Sequence, residues 1–344
     1  MNFFKKQKQR LNSLKKELRP IASSKWDAIK LLINYIYCRI RFHVNLNEYK
    51  KYEFYNLNNR YRKKFLLVYH QKKKYFNITL RYFTHSKYII YKRIQDLFTR
   101  EIILLPHCGE DCFVEFVKKH QKVILKPDKG SLGKGIEVLE YVDETLARDR
   151  FKQFSKEEPM VCEEFICQHH ALMELNPFSV NTIRVVTILN EGNVEIVSAA
   201  LKTGGSATKI VDNMHNGGIG MQIDIKTGIT TTFGKDYKNK EYAFHPVSGA
   251  QLIGFQVPHW EKVVQLVEKA HYQLPQSLLF GWDIAITEDG AELVEVNRAP
   301  GPMLMQTMDK KPKGEKIIKM MKTIKVTQEY SKKDVYNPNY DKYL

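Results

Sequence analysis

Apolar positions recur at helical spacing through the first hundred residues. Trp26, Ile29, Ile33, Ile36 and Ile40 fall at three- and four-residue steps, the face of an amphipathic helix whose start is marked by Ser23 and Ser24. Tyr88, Ile89, Tyr91, Ile94, Leu97 and Phe98 predict a second helix over 86–99, and 102–105, ahead of Pro106, reads as a short buried strand. The period changes near residue 110. A helix over 111–120 leads to a strand at 122–126, a glycine loop, a strand at 135–139 and a helix over 143–155. Strands then dominate at 160–166, 182–189, 194–202, 221–225 and 229–232, before a helix at 260–272 and a closing hairpin. Residues 309–344 read as a helix and a loosely held tail. The pattern is α+β with largely antiparallel sheets behind a helical region.

The closing hairpin holds the densest candidate chemistry. Two apolar, alternating runs flank Thr287-Glu288-Asp289-Gly290, with Gly290 as the left-handed residue of a short loop. With the loop centred on Asp289, Asp283 faces Glu295, and Asn297 lies two residues on along the same sheet face. Like charges directly opposite are destabilising. A hard divalent cation would turn that repulsion into coordination by carboxylate and amide oxygens. A bulge would slip the register by one and still leave the acids as neighbours. A solvated surface hairpin is the other reading, but Phe280, Trp282, Ile284, Ile286, Leu293, Val294 and Val296 favour a mostly buried pair of strands.

Upstream, Lys126-Pro-Asp-Lys-Gly-Ser-Leu-Gly-Lys-Gly-Ile136 joins two strands through three glycines and three lysines. Glycines let main-chain N–H groups approach phosphate oxygens, and Lys126 at the strand end is a point charge for them. The segment is not a P-loop: Ile136 stands where the lysine belongs, and a strand follows. A plain hairpin connection accounts for it equally well in isolation. Val161-Cys-Glu-Glu-Phe-Ile166 resembles an edge strand lining a nucleobase pocket, with acidic side chains and main-chain groups available to an adenine amino group. Arg184, inside the apolar run Asn181-Thr-Ile-Arg-Val-Val186, needs an anion, either a phosphate or carboxylate or a structural partner such as Glu164 or Glu174.

Composition changes the picture in one respect. The 344 residues are 43% hydrophobic and 27% charged, ordinary for a folded protein of two or three domains, but the net charge is +17. Residues 1–100 hold 25 Lys/Arg and five Asp/Glu, whereas the rest hold 30 and 33, so the whole excess is N-terminal. Cys38, Cys108, Cys112, Cys162 and Cys167 are odd in number and scattered, which points to a reducing cytoplasm rather than a disulfide framework. Cys162 and Cys167 with His169 and His170 match no zinc spacing. No signal peptide and no run approaching ~20 apolar residues is evident.

Taken in order, the lysine-proline strand end, the glycine loop, the acidic strand and the Asp283/Glu295/Asn297 hairpin resemble the ATP-grasp superfamily, and residues 121–301 look most like its sugar-transfer-associated branch. That resemblance implies an α+β, ATP-grasp-like fold, two α+β subdomains sandwiching MgATP. It would occupy 106–310 (lid about 123–170, core about 171–305), behind a basic helical region at 1–105 and ahead of a helix and tail at 311–344. It implies ATP and Mg²⁺ as cofactors. Lys126, Lys129, Gly130, Ser131, Gly133, Lys134 and Gly135 would meet the phosphates. Glu163, Glu164 and Ile166 would be the adenine hinge. His170 stands where the family often has an acidic ribose ligand, with Glu174 as a substitute. Asp283, Glu295 and Asn297 resemble the Mg²⁺ triad, Arg184 the arginine beside the γ-phosphate, and Lys202 and Arg298 join it as catalytic candidates. Asn213, His215 and Asn216, in the loop at 212–220, are candidate substrate contacts, although turn chemistry also explains that loop.

The implied reaction is an ATP-dependent carboxylate–amine ligation through an acyl phosphate, attaching an amino acid or amine to a sugar (uronic) acid, free or lipid-linked, in surface polysaccharide synthesis. Two alternatives keep other features: an ATP-grasp-type kinase acting on a hydroxyl, and a nucleic-acid-binding protein using the basic, tyrosine-rich first hundred residues. The same basic segment suits anionic lipid, giving a cytoplasmic protein peripheral at the inner face of a membrane. The competing expectation is that the Trp26–Ile40 face packs on the catalytic body.

Overall fold

The computed structural model describes residues 3–71, 86–130, 133–156, 158–207, 212, 214–274 and 277–323. Two compact units emerge. One combines 1–73 with 301–323, and the other contains 74–300.

The first unit is helical. Helices Phe3–Leu18 and Lys25–Phe42 are followed by the short helices Leu46–Lys51, Asn59–Arg62 and Val68–Gln71, and the chain returns as Pro302–Thr307 and Glu315–Thr323. Ser24 caps the second helix as its spacing predicts, accepting the Asp27 N–H at 3.0 Å, and His43 closes it in a left-handed conformation. Asn45 and Glu48 form a reciprocal capping box on the third. The core contains Leu31, Leu32, Tyr35, Tyr49, Phe54 and Phe65. Gln306 ties the returning segment in, accepting the Leu66 N–H at 3.0 Å and donating to its carbonyl at 2.8 Å.

One expectation is corrected here. The row Trp26, Ile29, Ile33, Ile36 and Ile40 is exposed, and the helix buries Ala28, Leu31, Leu32, Tyr35, Cys38 and Phe42 instead. Lys25–Phe42 carries two apolar rows on nearly opposite sides, and the second, rich in Leu and aromatics, is the one that packs within its unit.

The second unit contains two antiparallel sheets. The smaller is built from β1 (Ile102–Leu104), β2 (Lys122–Pro127), β3 (Glu137–Glu140) and β4 (Met160–Glu164), in the order β1-β4-β2-β3. Helices Glu110–His120 and Glu144–Phe154 pack on it around Phe113, Val117, Leu125 and Phe154. The larger contains β5 (Thr182–Asn190), β6 (Asn193–Thr203), β7 (Ile219–Ile223), β8 (Gly234–Lys235), β9 (Glu241–Tyr242), β10 (Leu279–Ile286) and β11 (Ala291–Asn297), in the order β11-β10-β5-β6-β7-β8-β9. Helix Trp260–Gln273 covers one of its faces, where Ile183, Val185, Trp282 and Ile284 meet Val263 and Val267.

Three sequence expectations change. β4 lies between β1 and β2 and is not an edge. Residues 229–232 form isolated bridges, Ile223 to Thr230 and Ile229 to Gln256, rather than a strand. The helix expected over 86–99 stops at Arg93 and continues as a 3₁₀ turn at Gln95–Leu97. All five cysteines are free; the tail from 324 lies outside the described residues.

Candidate active site

Because helix Trp260–Gln273 covers one face of the larger sheet, strand alternation sends every second side chain of β5, β6 and β10 to the other face. There the registers align one row across four strands: Glu295 on β11 opposite Asp283 on β10, Asp283 opposite Arg184 on β5, and Arg184 opposite Ala200 on β6. Asn297 is two residues from Glu295 and pairs with Gly281.

The Asp283–Glu295 pairing is the predicted one, reached by a different path. Thr287 and Gly290 close a two-residue loop, Thr287 N–H to Gly290 O at 2.8 Å, so the loop is centred between Glu288 and Asp289. The register then shifts by one between Asp283 and Ile284, leaving Val294 as the extra residue and returning Asp283 to Glu295. Gly290 has φ 155°, outside the left-handed helical region expected for it.

Asp283 is buried. Arg184 donates to both its oxygens, Nε to Oδ1 at 2.6 Å and an Nη to Oδ2 at 2.7 Å, and Lys202 Nζ lies 3.1 Å from Oδ1. Burial alone would raise the Asp283 pKa, but Arg184 and Lys202 outweigh it and hold the carboxyl well below the usual carboxylate range. Two expectations are refined by this. The partner of Arg184 is Asp283, not Glu164 or Glu174, and the repulsion inferred between Asp283 and Glu295 is offset from the β5–β6 side. Gly281 makes room for the arrangement, since a Cβ there would lie 3.3 Å from Arg184 Cδ and 2.7 Å from Pro300.

Lys202 also lies 3.6 Å from Asp212, which accepts both the N–H and the hydroxyl of Thr182. Burial raises Asp212 despite Lys202. From the 212–220 loop it is thus Asp212 that joins the charged cluster. Asn213 lies outside the described residues, as does the His215 side chain. Asn216 is half-buried in the turn Met214–Asn216, and Arg298 is half-buried just beyond β11.

In the smaller sheet, Lys126 and Glu163 face each other, Nζ to Oε1 at 2.6 Å, both buried. The expectation that Glu163 reads adenine is thereby altered: its other oxygen accepts from Arg100 Nη at 2.8 Å and Nε at 3.0 Å. Arg100 also donates to Glu292 and to the Leu293 carbonyl on β11, linking the two sheets. Glu164 and Ile166 are half-buried. In the glycine loop Lys129, Gly130 and Lys134 are exposed, Ser131 lies outside the described residues, and Gly133 and Gly135 take φ 71° and 68°. These two values need glycine.

A cleft between the sheets brings together Lys87, Arg100, Gly130, Glu163 and Glu295. Lys87, missed in the sequence, donates from Nζ to the carbonyls of Pro127 (2.8 Å), Asp128 and Gly130 (both 3.3 Å), so its ammonium caps the start of the glycine loop. Burial lowers its pKa, opposed first by Glu295. Ser86, which caps the helix from Lys87, was its only local signal. Arg100 and Glu292 gave none, because their partners lie far away in the chain; Asp212 opens the loop already singled out at 212–220 and lies ten residues from Lys202.

The oxygen donors suit a hard cation. Asp283 has two oxygens with about four lone-pair sites, of which Arg184 and Lys202 take three. Glu295 and Asn297 make no side-chain hydrogen bond among the described residues. The set therefore fits Mg²⁺, which keeps several positions for water and phosphate. His170 is placed apart from this set, at the hairpin tip, where Glu288 accepts its N–H at 2.7 Å and lies 3.1 Å from Nδ1. His169, His170 and Glu288 cluster closely enough to suggest a second metal. However, His169 Nδ1 accepts the Ala171 N–H, so the neutral ring carries its proton on Nε2, the nitrogen that faces Glu288. The cluster is a hydrogen-bonded clamp on the hairpin.

The family model described as sugar-transfer associated ATP-grasp matches residues 110–321. Among solved structures the chain is similar to the D-alanine–D-alanine ligase of Bacillus anthracis, with 15% identity over 70% of this chain and 66% of that one and a TM-score of 0.41. It is also similar to an N5-carboxyaminoimidazole ribonucleotide synthetase in complex with ADP (13%, 70% and 52%, TM-score 0.45). A third is the ATP-grasp ligase PsnB complexed with a variant of its minimal precursor, Mg and ADP (13%, 72% and 61%, TM-score 0.44). The chain thus spans about half to two thirds of the length of these solved chains. No curated protein matches it.

Proposed function

The chain belongs to the sugar-transfer-associated ATP-grasp family, whose model covers more than half of it, and on that premise we propose that it is an ATP-dependent carboxylate–amine ligase joining an amine or amino acid to a sugar acid in surface polysaccharide synthesis. ATP-grasp enzymes use ATP with Mg²⁺. The observation that carries the reading is the β10–β11 register. It sets Asp283 against Glu295 with Asn297 beside them, on the face that also presents Arg184 and Lys202.

When bound, MgATP would supply the γ-phosphoryl group that activates the carboxylate as an acyl phosphate, with ADP as leaving group, and the amine would then displace inorganic phosphate to give the amide. The chain's own residues hold and screen that event. Asp283, Glu295 and Asn297 would hold the cation. Arg184 and Lys202 keep Asp283 ionised and place two fixed positive charges beside it, preorganised for charge on a transferred phosphoryl group. Lys87 and Gly130 line the cleft, and closure of the glycine loop over bound nucleotide would exclude water that hydrolyses the acyl phosphate. Asp212 lies within the cluster beside Lys202, its carboxyl pushed upward by burial and held back by that lysine and the Thr182 hydrogen bonds.

The test is ATP turnover measured against a panel of uronic-acid sugars and amino acids, with products identified by mass spectrometry. The reading requires ADP release that depends on both a carboxylate and an amine, an amide product, and loss of turnover in Glu295→Gln. A phosphorylated acceptor without amide would assign the site to a kinase. Turnover indifferent to Glu295→Gln would remove the metal site from the mechanism.

A further inference from the structure

We propose that the outward ridge of helix Lys25–Phe42 is a docking surface for a bilayer rich in anionic headgroups, independent of what the second unit catalyses. Trp26, Ile33 and Ile40 are 76%, 63% and 73% exposed, and Ile29, Ile36 and Tyr37 continue the same ridge. At 1.5 Å per residue the ridge from Trp26 to Ile40 runs roughly 21 Å. Isolated exposed apolar residues need no explanation, but a continuous row on one helix does.

The flanks identify the occupant. On a helical projection Lys25 and Arg39 border one side of the ridge and Lys30 and Arg41 the other, and all four are exposed. Helix Phe3–Leu18, in the same unit, adds exposed Lys5, Lys6, Lys8, Arg10, Lys15 and Lys16 against one acid, Glu17. An apolar ridge between basic borders matches an interface in which aliphatic and indole side chains enter the acyl boundary while long cationic chains reach back to phosphates. A second copy would bring these basic borders face to face. A nucleic acid would use the lysines and leave the isoleucines in water. Of these three, an anionic sheet with an apolar interior uses both. No helix among the described residues is long and apolar enough to cross a membrane, so the contact is peripheral.

Flotation of the full chain with phosphatidylcholine vesicles, with and without phosphatidylglycerol, tests this. Binding is expected only with the anionic lipid, weakening as salt rises. Trp260 and Trp282 are buried, so a blue shift of tryptophan emission on binding should come from Trp26 and vanish in Trp26→Phe. Ile33→Asp with Ile40→Asp should abolish flotation, and Lys30→Ala with Arg41→Ala should weaken it roughly fivefold per charge. All are surface positions, and an unchanged melting temperature shows that the fold is retained. The proposal fails if the chain does not float with anionic vesicles at low salt, or floats equally well in both variants. It also fails if the parent is a dimer that Ile33→Asp converts to monomer.

Discussion

Changing Asp283 to Asn probes the charged row at its most buried acid. The residue is 5% exposed, and its carboxylate meets Arg184 at 2.6 and 2.7 Å and Lys202 at 3.1 Å. Asparagine keeps the shape, removes the charge and turns one acceptor oxygen into a donor facing cations. Arg184 and Lys202 would then keep only indirect counter-ions among the described residues, Asp212 at 3.6 Å from Lys202 and the more distant Glu295. Removing one partner of a buried pair costs about 3–5 kcal/mol, because the other charge stays behind unpaired. For a unit of this size that is a melting-temperature drop of about 6–20 °C. Calorimetry and urea unfolding would measure it. The double variant Arg184→Gln/Asp283→Asn removes both charges of the pair and leaves Lys202 with Asp212. It should therefore lose less than the sum of the two single variants, by about 0.5–3 kcal/mol. MgATP at a hundredfold excess over its Kd should stabilise the parent by about 2.7 kcal/mol and neither Asp283 variant. A single variant within about 1 kcal/mol of the parent, or an additive double variant, would refute the reasoning.

Four further outcomes follow from the same geometry. Asp283 titrates below its unfolded value of about 3.9, so its contribution to stability is fully present above that pH and is lost as pH falls from there through the lower folded-state value; urea unfolding against pH should show a shallower acid limb in Asp283→Asn. Arg100→Ala leaves Glu163 and Glu292 buried without their shared cation and should cost about 3–5 kcal/mol, read by thermal melting. Gly135→Ala forces alanine to φ 68° with its Cβ 3.0 Å from Pro127, a loss of about 1–2 kcal/mol together with a higher KM for ATP in steady-state kinetics. Lys87→Met should weaken ATP binding by about tenfold or more in calorimetric titration, as expected for a lost charge-assisted contact.

The sequence was most legible where structure is local. Caps at Ser24, Ser86 and Asp143 mark helices within a residue of where they begin. The hairpin register is set by a turn signal and an alternation only a few residues away. Even there the loop centre and the bulge at Val294 are two departures that cancel at Asp283. Composition could not show that Arg100 bridges Glu163 and Glu292, because these residues are 63 and 192 positions away and no period links them. A separation of 37 residues likewise hid the pairing of Lys126 with Glu163, two residues read separately as a phosphate ligand and an adenine ligand. A lysine and a glutamate on neighbouring strands are chemically indistinguishable, from sequence, from a lysine and a glutamate that each await a nucleotide.

Helix Lys25–Phe42 shows the same limit in a sharper form. Periodicity establishes that Trp26, Ile29, Ile33, Ile36 and Ile40 share a face, but burial is a property of what lies opposite a face, not of the face itself. The helix has a second apolar row, Leu31, Leu32, Tyr35, Cys38 and Phe42, and only the aromatic cluster formed by Tyr49, Tyr52, Phe54 and Phe65 decides which row turns inward. A returning segment more than two hundred residues downstream packs on that cluster through Met303 and is anchored by Gln306 on Leu66. Once the inner row is taken, the outer row remains apolar with basic borders, an arrangement with no use inside the unit. Its retention on the surface is therefore better explained by a partner than by folding, and the charge of its borders specifies the partner's sign.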